Sequence, residues 1–358
     1  MSTSAPFTLI TGGAGFIGTN LADRLLTHGR EVVLFDDLSR PGTRSNLEWL
    51  TRRHEHRTRV IVADILDERA VEEAVAQATE VYHFAAQVAV TTSLAAPLRD
   101  FEVNARGTLV LLEALRRLPE PPPLIFTSTN KVYGALDDLP IRATERRYVP
   151  VGEQAGINEQ RALDFHSPYG CSKGAADQYV LDYARCFGLP TVVFRMSCIY
   201  GPHQHGNEDQ GWIAHFLIRS ACRQPLVVYG DGRQVRDVLF IDDLLDAFER
   251  AMRDARQLAG RAFNIGGGPQ NTLSLLELIE QIGERSGHVP SVQHAETRCA
   301  DQRYYVSDTT AFAQATGWRP QVSVEEGLAR LGEWIDQHIP RGSPYISPGA
   351  ARLKAVGR

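Results

Sequence analysis

A tyrosine and a lysine four residues apart, Tyr169 and Lys173, are the pair whose spacing points most directly to chemistry. If this segment is helical, the two side chains lie on one face of the helix. A nearby ammonium favours a phenolate and so lowers the pKa of a phenol from about 10. A phenolate can remove a hydroxyl proton while a hydride leaves the same carbon. The pair therefore predicts the acid–base group of an oxidation at a hydroxyl-bearing carbon.

A hydroxyl-rich segment, Thr127–Gly134, follows the short apolar run Leu124–Phe126. A hydroxyl at the end of a central strand would face the reacting carbon, and Thr127, Ser128 and Thr129 each carry one. Lys131 lies two residues further on. It is one of only three lysines among 38 basic residues, and Lys173 is another. Since arginine replaces lysine poorly where a compact ammonium is needed, we expect both lysines to have specific roles.

A glycine-rich turn near the start of the chain predicts a nucleotide site. Gly12, Gly15 and Gly18 are spaced GxxGxxG between an apolar run and a stretch with helical periodicity. Such glycines permit a tight turn and let the backbone approach a diphosphate at a helix N-terminus. Asp36 ends the second apolar run, where a carboxylate accepts hydrogen bonds from the adenosine ribose and repels a 2′-phosphate. The pattern predicts NAD as the cofactor and disfavours NADP.

The scaffold that positions these residues is predicted from short apolar runs separated by helix-length stretches. Such runs are typical of parallel strands buried on both faces, so we expect an α/β fold with a Rossmann-type doubly wound parallel sheet. Ligands of such folds bind at the carboxyl ends of the strands. The runs are Phe7–Ile10, Val32–Phe35, Val60–Val62, Val81–Phe84, Leu124–Phe126 and Thr191–Phe194.

The pattern changes after about residue 200, where glycine, proline and histidine are frequent and short strand-like pieces mix with helical ones. We expect residues 1–200 to form an NAD-binding domain with a return segment at about 238–256. Residues 201–237 and 257–340 are predicted to form a smaller C-terminal α/β substrate-binding lobe, followed by a flexible tail at 341–358. The strand-like pieces of this second half are Leu226–Tyr229, Val238–Ile241 and Ala262–Ile265, and the helical piece is Leu273–Gly287.

The composition limits the classes of function. With 43% hydrophobic and 23% charged residues among 358, the chain is typical of globular proteins, and its net charge of −5 argues against nucleic acid as a partner. The five cysteines are scattered without a CxxC pair, which suits the cytoplasm and disfavours structural zinc. His203 and His205 have no evident third ligand, so no metal is expected. No apolar run reaches the roughly 18 residues of a membrane span, so no membrane partner is expected.

The order of the motifs along the chain resembles the extended short-chain dehydrogenase/reductases that act on nucleotide sugars. The resemblance covers the chain to about residue 337. The motifs that carry it are TGGAGFIG at residues 11–18, Asp64-Ile65, Phe84-Ala85-Ala86, Asn104 in VNARGT, the Tyr169–Lys173 pair, and Arg236-Asp237 before Asp242.

This resemblance implies a role for each matching residue. Thr129, Tyr169 and Lys173 correspond to the family's catalytic trio. Arg236 and Arg298 correspond to the pair that holds the diphosphate of the nucleotide sugar, for which planar guanidinium groups are well suited. The residues expected to contact NAD are Gly12, Gly15, Phe16, Ile17, Asp36, Asp64, Ile65, Phe84, Ala85, Ala86, Gln87, Asn104, Thr127, Tyr169 and Lys173.

The residues after Thr129 distinguish the reactions of the family. In its 4,6-dehydratases an Asp-Glu pair at this position eliminates water, whereas Asn130 and Lys131 here provide no carboxylic acid. Dehydration is therefore disfavoured, and Asn130, Lys131 and His166 become candidates for orienting a sugar. At Arg298 the sequence Arg-Cys-Ala-Asp replaces the commoner Arg-Pro-Gly-Asp, which leaves the geometry of that loop open.

Within the family, the similarity is densest to the enzymes that invert carbon 2 of a CDP-activated hexose, in Leu163–Arg185, Val192–Trp212 and Arg298–Asp308. It implies a CDP-sugar substrate, transient oxidation to a 2-keto sugar by NAD, and return of the hydride to the opposite face of the ketone. Two alternatives stay open. One is 4-epimerisation of a UDP-sugar or another nucleotide sugar, and the other is a non-catalytic dinucleotide-sensing protein.

The resemblance also implies a homodimer formed through the helices near Asn104–Leu118 and Tyr169–Cys186. An apolar stripe of Leu109, Leu112 and Leu115 is compatible with that interface. Packing in the core of one chain explains the same stripe equally well.

Overall fold

Parallel strands and the helices between them account for most of the chain. The computed structural model describes residues 6–152, 156–298 and 301–339, and the predicted tail at 341–358 lies outside this part. The strands are β1 (Phe7–Thr11), β2 (Val32–Phe35), β3 (Thr58–Ile61), β4 (Ala78–His83), β5 (Leu124–Thr129), β6 (Ile141–Ala143), β7 (Tyr148–Pro150), β8 (Thr191–Met196), β9 (Cys198–Tyr200), β10 (Leu226–Tyr229), β11 (Val235–Phe240), β12 (Arg261–Ile265), β13 (Thr272–Ser274), β14 (Val292–Ala295) and β15 (Tyr304–Tyr305).

The helices connect and cover these strands, and one of the connections contains a π-helical segment at Glu102–Arg106. The α-helices are α1 (Phe16–Thr27), α2 (Thr43–His54), α3 (Glu68–Val75), α4 (Val90–Ala95), α5 (Pro97–Phe101), α6 (Gly107–Arg116), α7 (Ser167–Phe187), α8 (Trp212–Ala221), α9 (Ile241–Arg253), α10 (Ala255–Leu258), α11 (Leu275–Ser286), α12 (Thr310–Thr316) and α13 (Val324–His338).

The central sheet has seven strands in the order β12-β8-β5-β4-β1-β2-β3, and its pairs are parallel. Strands β1 and β5 are buried along their whole length because helices cover both faces. Leu9 and Ile10, neighbours in β1, belong to different apolar cores on opposite faces of the sheet. The prediction of a Rossmann-type doubly wound α/β fold is therefore confirmed.

One predicted assignment is wrong. The piece Ala262–Ile265 was expected in the C-terminal lobe, but β12 pairs with β8 and is the edge strand of the central sheet, with Phe263 opposite Phe194. Its residues Phe263 and Ile265 are fully buried. After β8 the chain leaves the central sheet, forms part of the lobe and then returns to the sheet at β12. Because this long segment separates the two strands, their pairing could not be predicted from neighbouring residues. Phe312 of α12 packs on Phe194 and Phe263, so this later helix also covers the sheet.

A second group of strands forms smaller sheets outside the central sheet. Its β11 pairs with β9 and β15 in parallel and with β13 antiparallel, while β10 pairs with β14. The helix after β11 returns to the central sheet, because Phe248 of α9 stacks on Phe84 and Phe194. Among the helices of the described ranges, none is long and apolar enough to cross a bilayer.

Candidate active site

Helix α7 presents Tyr169 and Lys173 to the end of β5. The helix begins after His166 with Pro168 in its first turn, a position where the missing proline N–H costs no hydrogen bond. Lys173 is only 4% exposed, and its Nζ donates a hydrogen bond to the carbonyl oxygen of Thr127 at 2.7 Å. Burial lowers the pKa of Lys173 to about 7, although Asp177 and Asp100 oppose this shift. The helical position predicted for the pair is confirmed.

The acidity of Tyr169 differs from the sequence-based expectation. Burial raises the pKa of its phenol to about 12, and a hydrogen bond with the Thr129 side chain lowers it only in part. The expected lowering by Lys173 is not found, because the ammonium of Lys173 bonds to Thr127 and desolvation dominates at the phenol. Thr129 also donates to Oδ1 of Asn130 at 3.3 Å. The hydroxyl predicted beside the tyrosine is therefore in contact with it.

The glycine-rich turn has the close packing that its spacing predicts. Gly12 has a φ of +67°, and a Cβ added there would lie 2.7 Å from the backbone nitrogen of Ala85. A Cβ on Gly18 would lie 2.5 Å from the carbonyl oxygen of Gly12. Gly15 is the N-cap of α1 and makes no side-chain capping bond. Since no side chain caps the first turn of α1, its backbone amides are left for an anion such as a diphosphate, and we call this turn the glycine cradle.

Asp36 lies at the carboxyl end of β2, beside this turn. Its carboxylate is largely buried and accepts hydrogen bonds from the backbone N–H groups of Ala14 at 3.0 Å and Leu38 at 2.8 Å. Burial raises the pKa of Asp36, and these two backbone bonds oppose the shift. The structure therefore fixes this carboxylate next to the glycine cradle, as ribose recognition requires.

The other predicted cofactor residues surround the same strand ends. Phe16 and Ile17 begin α1, Asp64 accepts from Nη2 of Arg99 at 2.8 Å, and Ile65 is buried against Gly107. The segment after β4 holds the remaining predicted residues, Phe84, Ala85, Ala86 and Gln87, in partly buried positions.

Asn104 and Gln87 belong to a buried network that contains an unpredicted residue, Asp100. The side chain of Asn104 accepts from the backbone N–H of Gln87 at 2.8 Å and donates to Oγ of Ser172 at 3.0 Å. The carboxylate of Asp100 accepts from Ser172 at 2.5 Å and from Nε2 of Gln87 at 2.6 Å. Asn104 lies within the π-helical segment, a feature frequent at functional sites. The signal for Asp100 is its position four residues before Asn104.

Arg236 and Lys131, both predicted to bind the substrate, lie close to Asp301. Like Asp100, Asp301 is a residue that the sequence did not predict for the site. Arg236 donates through Nη2 to Oδ1 of Asp301 at 2.6 Å, and Nζ of Lys131 lies 3.8 Å from the same oxygen. Burial and the charge of Arg236 lower the pKa of Lys131 to about 8, while Asp301 opposes the shift. Asn130 donates to Oε1 of Gln302 at 3.3 Å, so both residues after Thr129 contact the segment 301–302.

Arg298 and His166 are not part of this cluster. The Arg298 guanidinium lies 3.7 Å from the ring centroid of Tyr229, donates to the carbonyl oxygen of Glu208 at 2.6 Å and lies 3.6 Å from Asp209. The two residues that follow Arg298, whose loop geometry the sequence leaves open, lie outside the described residues. His166 precedes α7, and its Nε2 lies 3.0 Å from Oδ2 of Asp164.

His203 and His205, for which the sequence offers no third metal ligand, each lie close to an aromatic ring. The ring of His203 lies 4.0 Å from that of Trp49, and Nε2 of His205 lies 3.1 Å from Oδ1 of Asn46. Within the described residues, no group of three or more histidine, cysteine, aspartate or glutamate side chains is arranged to hold a metal ion.

Taken as a whole, the site has a tyrosine phenol on α7, a threonine hydroxyl at the end of β5, a glycine-rich turn before α1 and two cationic groups around Asp301. A relative from Salmonella typhi, described as CDP-paratose 2-epimerase, is 42% identical over 333 residues, which are 91% of this chain and 98% of the relative. The UDP-glucuronic acid 4-epimerase of Bacillus cereus, solved with NAD and UDP-glucuronic acid, aligns with a TM-score of 0.80 at 26% identity, over 92% of this chain and 99% of the other.

The dTDP-glucose 4,6-dehydratase DesIV of Streptomyces venezuelae, solved with NAD, aligns with a TM-score of 0.80 at 29% identity, over 92% of this chain and 97% of the other. The family described as GDP-mannose 4,6 dehydratase matches residues 9–331. The chain therefore belongs to this family of extended short-chain dehydrogenase/reductases, whose relatives named here are nucleotide-sugar epimerases and dehydratases.

Proposed function

We propose that this protein is an NAD-dependent epimerase that inverts carbon 2 of a CDP-activated hexose, either converting CDP-paratose to CDP-tyvelose or acting on CDP-glucose. The similarity to the Salmonella typhi enzyme over nearly the whole of both chains supports this substrate class. The single observation that carries the reaction type is the contact between Tyr169 and Thr129, with Asn130 and Lys131 next in sequence. No carboxylic acid stands at these two positions to eliminate water.

The residues that would hold NAD are those of the glycine cradle and Asp36. The uncapped first turn of α1 suits the diphosphate, and the buried carboxylate of Asp36 suits the ribose hydroxyls. When bound, NAD accepts a hydride from the sugar and returns it. A phosphate on the 2′-oxygen would meet the Asp36 charge, which favours NAD over NADP.

Tyr169 takes the proton of the hydroxyl on carbon 2 as that carbon is oxidised. With its pKa at about 12 in this structure, the phenol needs a favourable charge nearby to serve as a base near neutral pH. Lys173 supplies that charge when its ammonium turns from the carbonyl of Thr127 toward the phenol. Thr129 hydrogen-bonds the oxygen on which negative charge develops. The planar ketone then presents its other face and is reduced with inverted configuration, while Tyr169 gives its proton back to the oxygen on carbon 2.

The substrate diphosphate would bind among the cationic residues of the lobe, Arg236 and Arg298, with Lys131 nearest the sugar. The Asp301 carboxylate holds Arg236 and Lys131 together and so keeps two positive charges oriented toward one place. We assign residues 201–237 and the lobe strands after β12 to substrate binding.

The proposal includes a homodimer through α6 and α7. Leu112 and Leu115 are fully buried within one chain, so the leucine stripe belongs to the core. Exposed apolar side chains nearby support the interface instead: Leu98 is 82% exposed, Phe101 52% and Phe187 48%. Measuring the molar mass in solution by light scattering tests this part, and a monomer at micromolar concentration contradicts it.

Product analysis by NMR tests the proposed function. The purified protein is incubated separately with CDP-paratose, CDP-glucose and UDP-glucose without added NAD, and the inverted carbon is identified. Inversion at carbon 2 of a CDP-sugar is expected. Inversion at carbon 4 of UDP-glucose alone would replace the proposal with a 4-epimerase, and no turnover with bound NAD would favour a dinucleotide-sensing protein.

A further inference from the structure

Arg40 is a partly buried cation that the proposed reaction does not use. It lies four residues after Asp36 in the loop between β2 and α2. Its carbonyl oxygen accepts a hydrogen bond from Oγ1 of Thr43 at 2.7 Å, which fixes the loop at the start of α2. Its guanidinium donates through Nη2 to Oε1 of Gln210 at 2.7 Å, and it has no ion pair among the described residues.

This environment is unusual for arginine. Burial lowers the pKa of the Arg40 guanidinium, and electrostatic interactions with Tyr169, Asp36 and Asp37 oppose that shift. An arginine stays protonated in proteins, so the group remains charged while its hydrogen-bond partner is a neutral amide. A cation removed from water is costly unless an anion compensates it. The site therefore suits an anionic ligand.

The position of the guanidinium indicates which anion. It interacts electrostatically with both Asp36 and Tyr169. Asn46 of the following helix α2 donates to the carbonyl oxygen of Ala14 in the glycine-rich turn at 3.3 Å, which ties the Arg40 loop to that turn. In the proposed function, Asp36 binds the adenosine ribose and Tyr169 lies at the reacting end of the cofactor. The part of a dinucleotide between its two riboses is the diphosphate, which carries two negative charges. A guanidinium that interacts with both residues, on a loop tied to the glycine-rich turn, is placed to reach that group.

We propose that Arg40 binds the diphosphate of the dinucleotide cofactor together with the glycine cradle. The proposal rests on the proposed function, since it takes NAD as the ligand. Backbone amides at the start of α1 contribute partial charge, and Arg40 adds a full charge with planar donors that match phosphate oxygens. It also offsets the repulsion that Asp36 and Asp37 exert on a dianion.

The loop that holds Arg40 also contacts the substrate side. Gln210 belongs to the segment that contains Glu208 and Asp209, and these two residues contact Arg298. Asn46 of α2 donates to the carbonyl oxygens of Ala14 and His203. The segment around residues 203–211 therefore supports Arg40 in a fixed position before the cofactor binds, which reduces the ordering needed on binding.

Isothermal titration calorimetry on the full chain freed of bound nucleotide tests this role. NAD, ADP and adenosine are titrated into the wild type, Arg40→Gln, Arg40→Lys and the control Arg44→Gln, which changes an exposed arginine at the start of α2, the helix that follows the Arg40 loop. We expect Arg40→Gln to weaken NAD and ADP about tenfold or more and to leave adenosine unchanged, since a charge-assisted hydrogen bond is lost only with phosphate-bearing ligands. Arg40→Lys should bind NAD and ADP with affinities between those of the wild type and Arg40→Gln. Arg44→Gln should bind all three ligands as the wild type does.

The outcomes separate this proposal from the proposed function. If Arg40→Gln binds NAD as the wild type does, Arg40 is not a diphosphate ligand and NAD dependence stands. If it weakens adenosine as much as ADP, the arginine acts only by supporting the loop, and the proposal fails. If the wild type binds no NAD, both proposals fail. Thermal unfolding of each variant verifies that the loss of binding is not a loss of folding.

Discussion

The ammonium of Lys173 donates to the backbone carbonyl of Thr127 at 2.7 Å, which ties helix α7 to the end of the central strand β5. Phe126 contributes its ring face, 4.3 Å from the same nitrogen. These contacts fix Lys173 in a buried position one turn from Tyr169. Lys173 therefore lies close to the phenol that it is proposed to assist, and burial lowers its own pKa to about 7.

The buried Lys173 makes stability depend on pH. Its folded-state pKa of about 7 is below its ordinary value of 10.5, so the unfolded chain binds more protons between these limits. The wild type should therefore become more stable as pH rises from 7 toward 10.5, and its penalty is full below pH 7. Lys173→Met has no buried amine and so lacks this penalty. Its free energy of unfolding should therefore exceed that of the wild type most near pH 7, and the difference should shrink as the pH rises. Denaturant unfolding at several pH values measures the free energy of unfolding of both proteins. Parallel pH profiles for the two would contradict the prediction.

Replacing the phenol should separate cofactor binding from catalysis. Tyr169→Phe removes only the hydroxyl, so NAD affinity should stay within about twofold while turnover falls by roughly 10²–10⁴. Tyr179→Phe, on an exposed position of the same helix, is the matched control and should keep wild-type turnover. Steady-state kinetics and NAD titration give the two quantities. Substantial turnover by Tyr169→Phe would exclude it as the base.

Lys131 should give the pH profile of kcat/KM a fall above about pH 8. Burial and Arg236 lower its pKa to about 8, so higher pH removes a positive charge from the proposed substrate site. The kcat/KM of Lys131→Arg should not fall above pH 8, since arginine stays charged. Its turnover at pH 7 should be at least tenfold lower than that of the wild type, because the bulkier head group displaces the Asp301 contact. NAD should remain bound. Unchanged kinetics and an unchanged profile would show that Lys131 has no role in catalysis.

Asp100 should stabilise the active site through its buried carboxylate. Asp100→Asn places an amide donor against donors from Ser172 and Gln87, which should cost about 1–3 kcal/mol. We expect a lower Tm by several degrees, whereas Asp182→Asn, on a more exposed part of α7, should be neutral. Differential scanning calorimetry provides the comparison. A stability equal to the wild type would mean that the network adapts to the amide.

Local patterns in the sequence were enough to predict the fold and much of the site. Gly12 and Gly18 lie where the backbone is so closely packed that a Cβ would clash with it. Because such positions require glycine, they can be recognised in the sequence. The Tyr169–Lys173 pair follows from helical periodicity alone. Features of this kind are encoded within one or two neighbouring elements, so a reading along the chain recovers them.

Contacts between distant segments could not be predicted in the same way. Asp301 meets Lys131 from 170 positions away, and β12 joins β8 after a long excursion through the lobe. The raised pKa of Tyr169 depends on how deeply the ring is buried and on the direction of the Lys173 ammonium. Both are properties of tertiary packing, which spacing does not report.

In the proposed function, carbon 2 is inverted by a hydride that leaves and returns to the same carbon. CDP-paratose carrying deuterium at carbon 2 tests it most directly, with turnover in ordinary water and analysis of the product by NMR and mass spectrometry. We expect CDP-tyvelose that keeps the deuterium at carbon 2, because the label passes to the cofactor and back without exchange. Product with hydrogen from solvent at carbon 2, or a product inverted at another carbon, would contradict it.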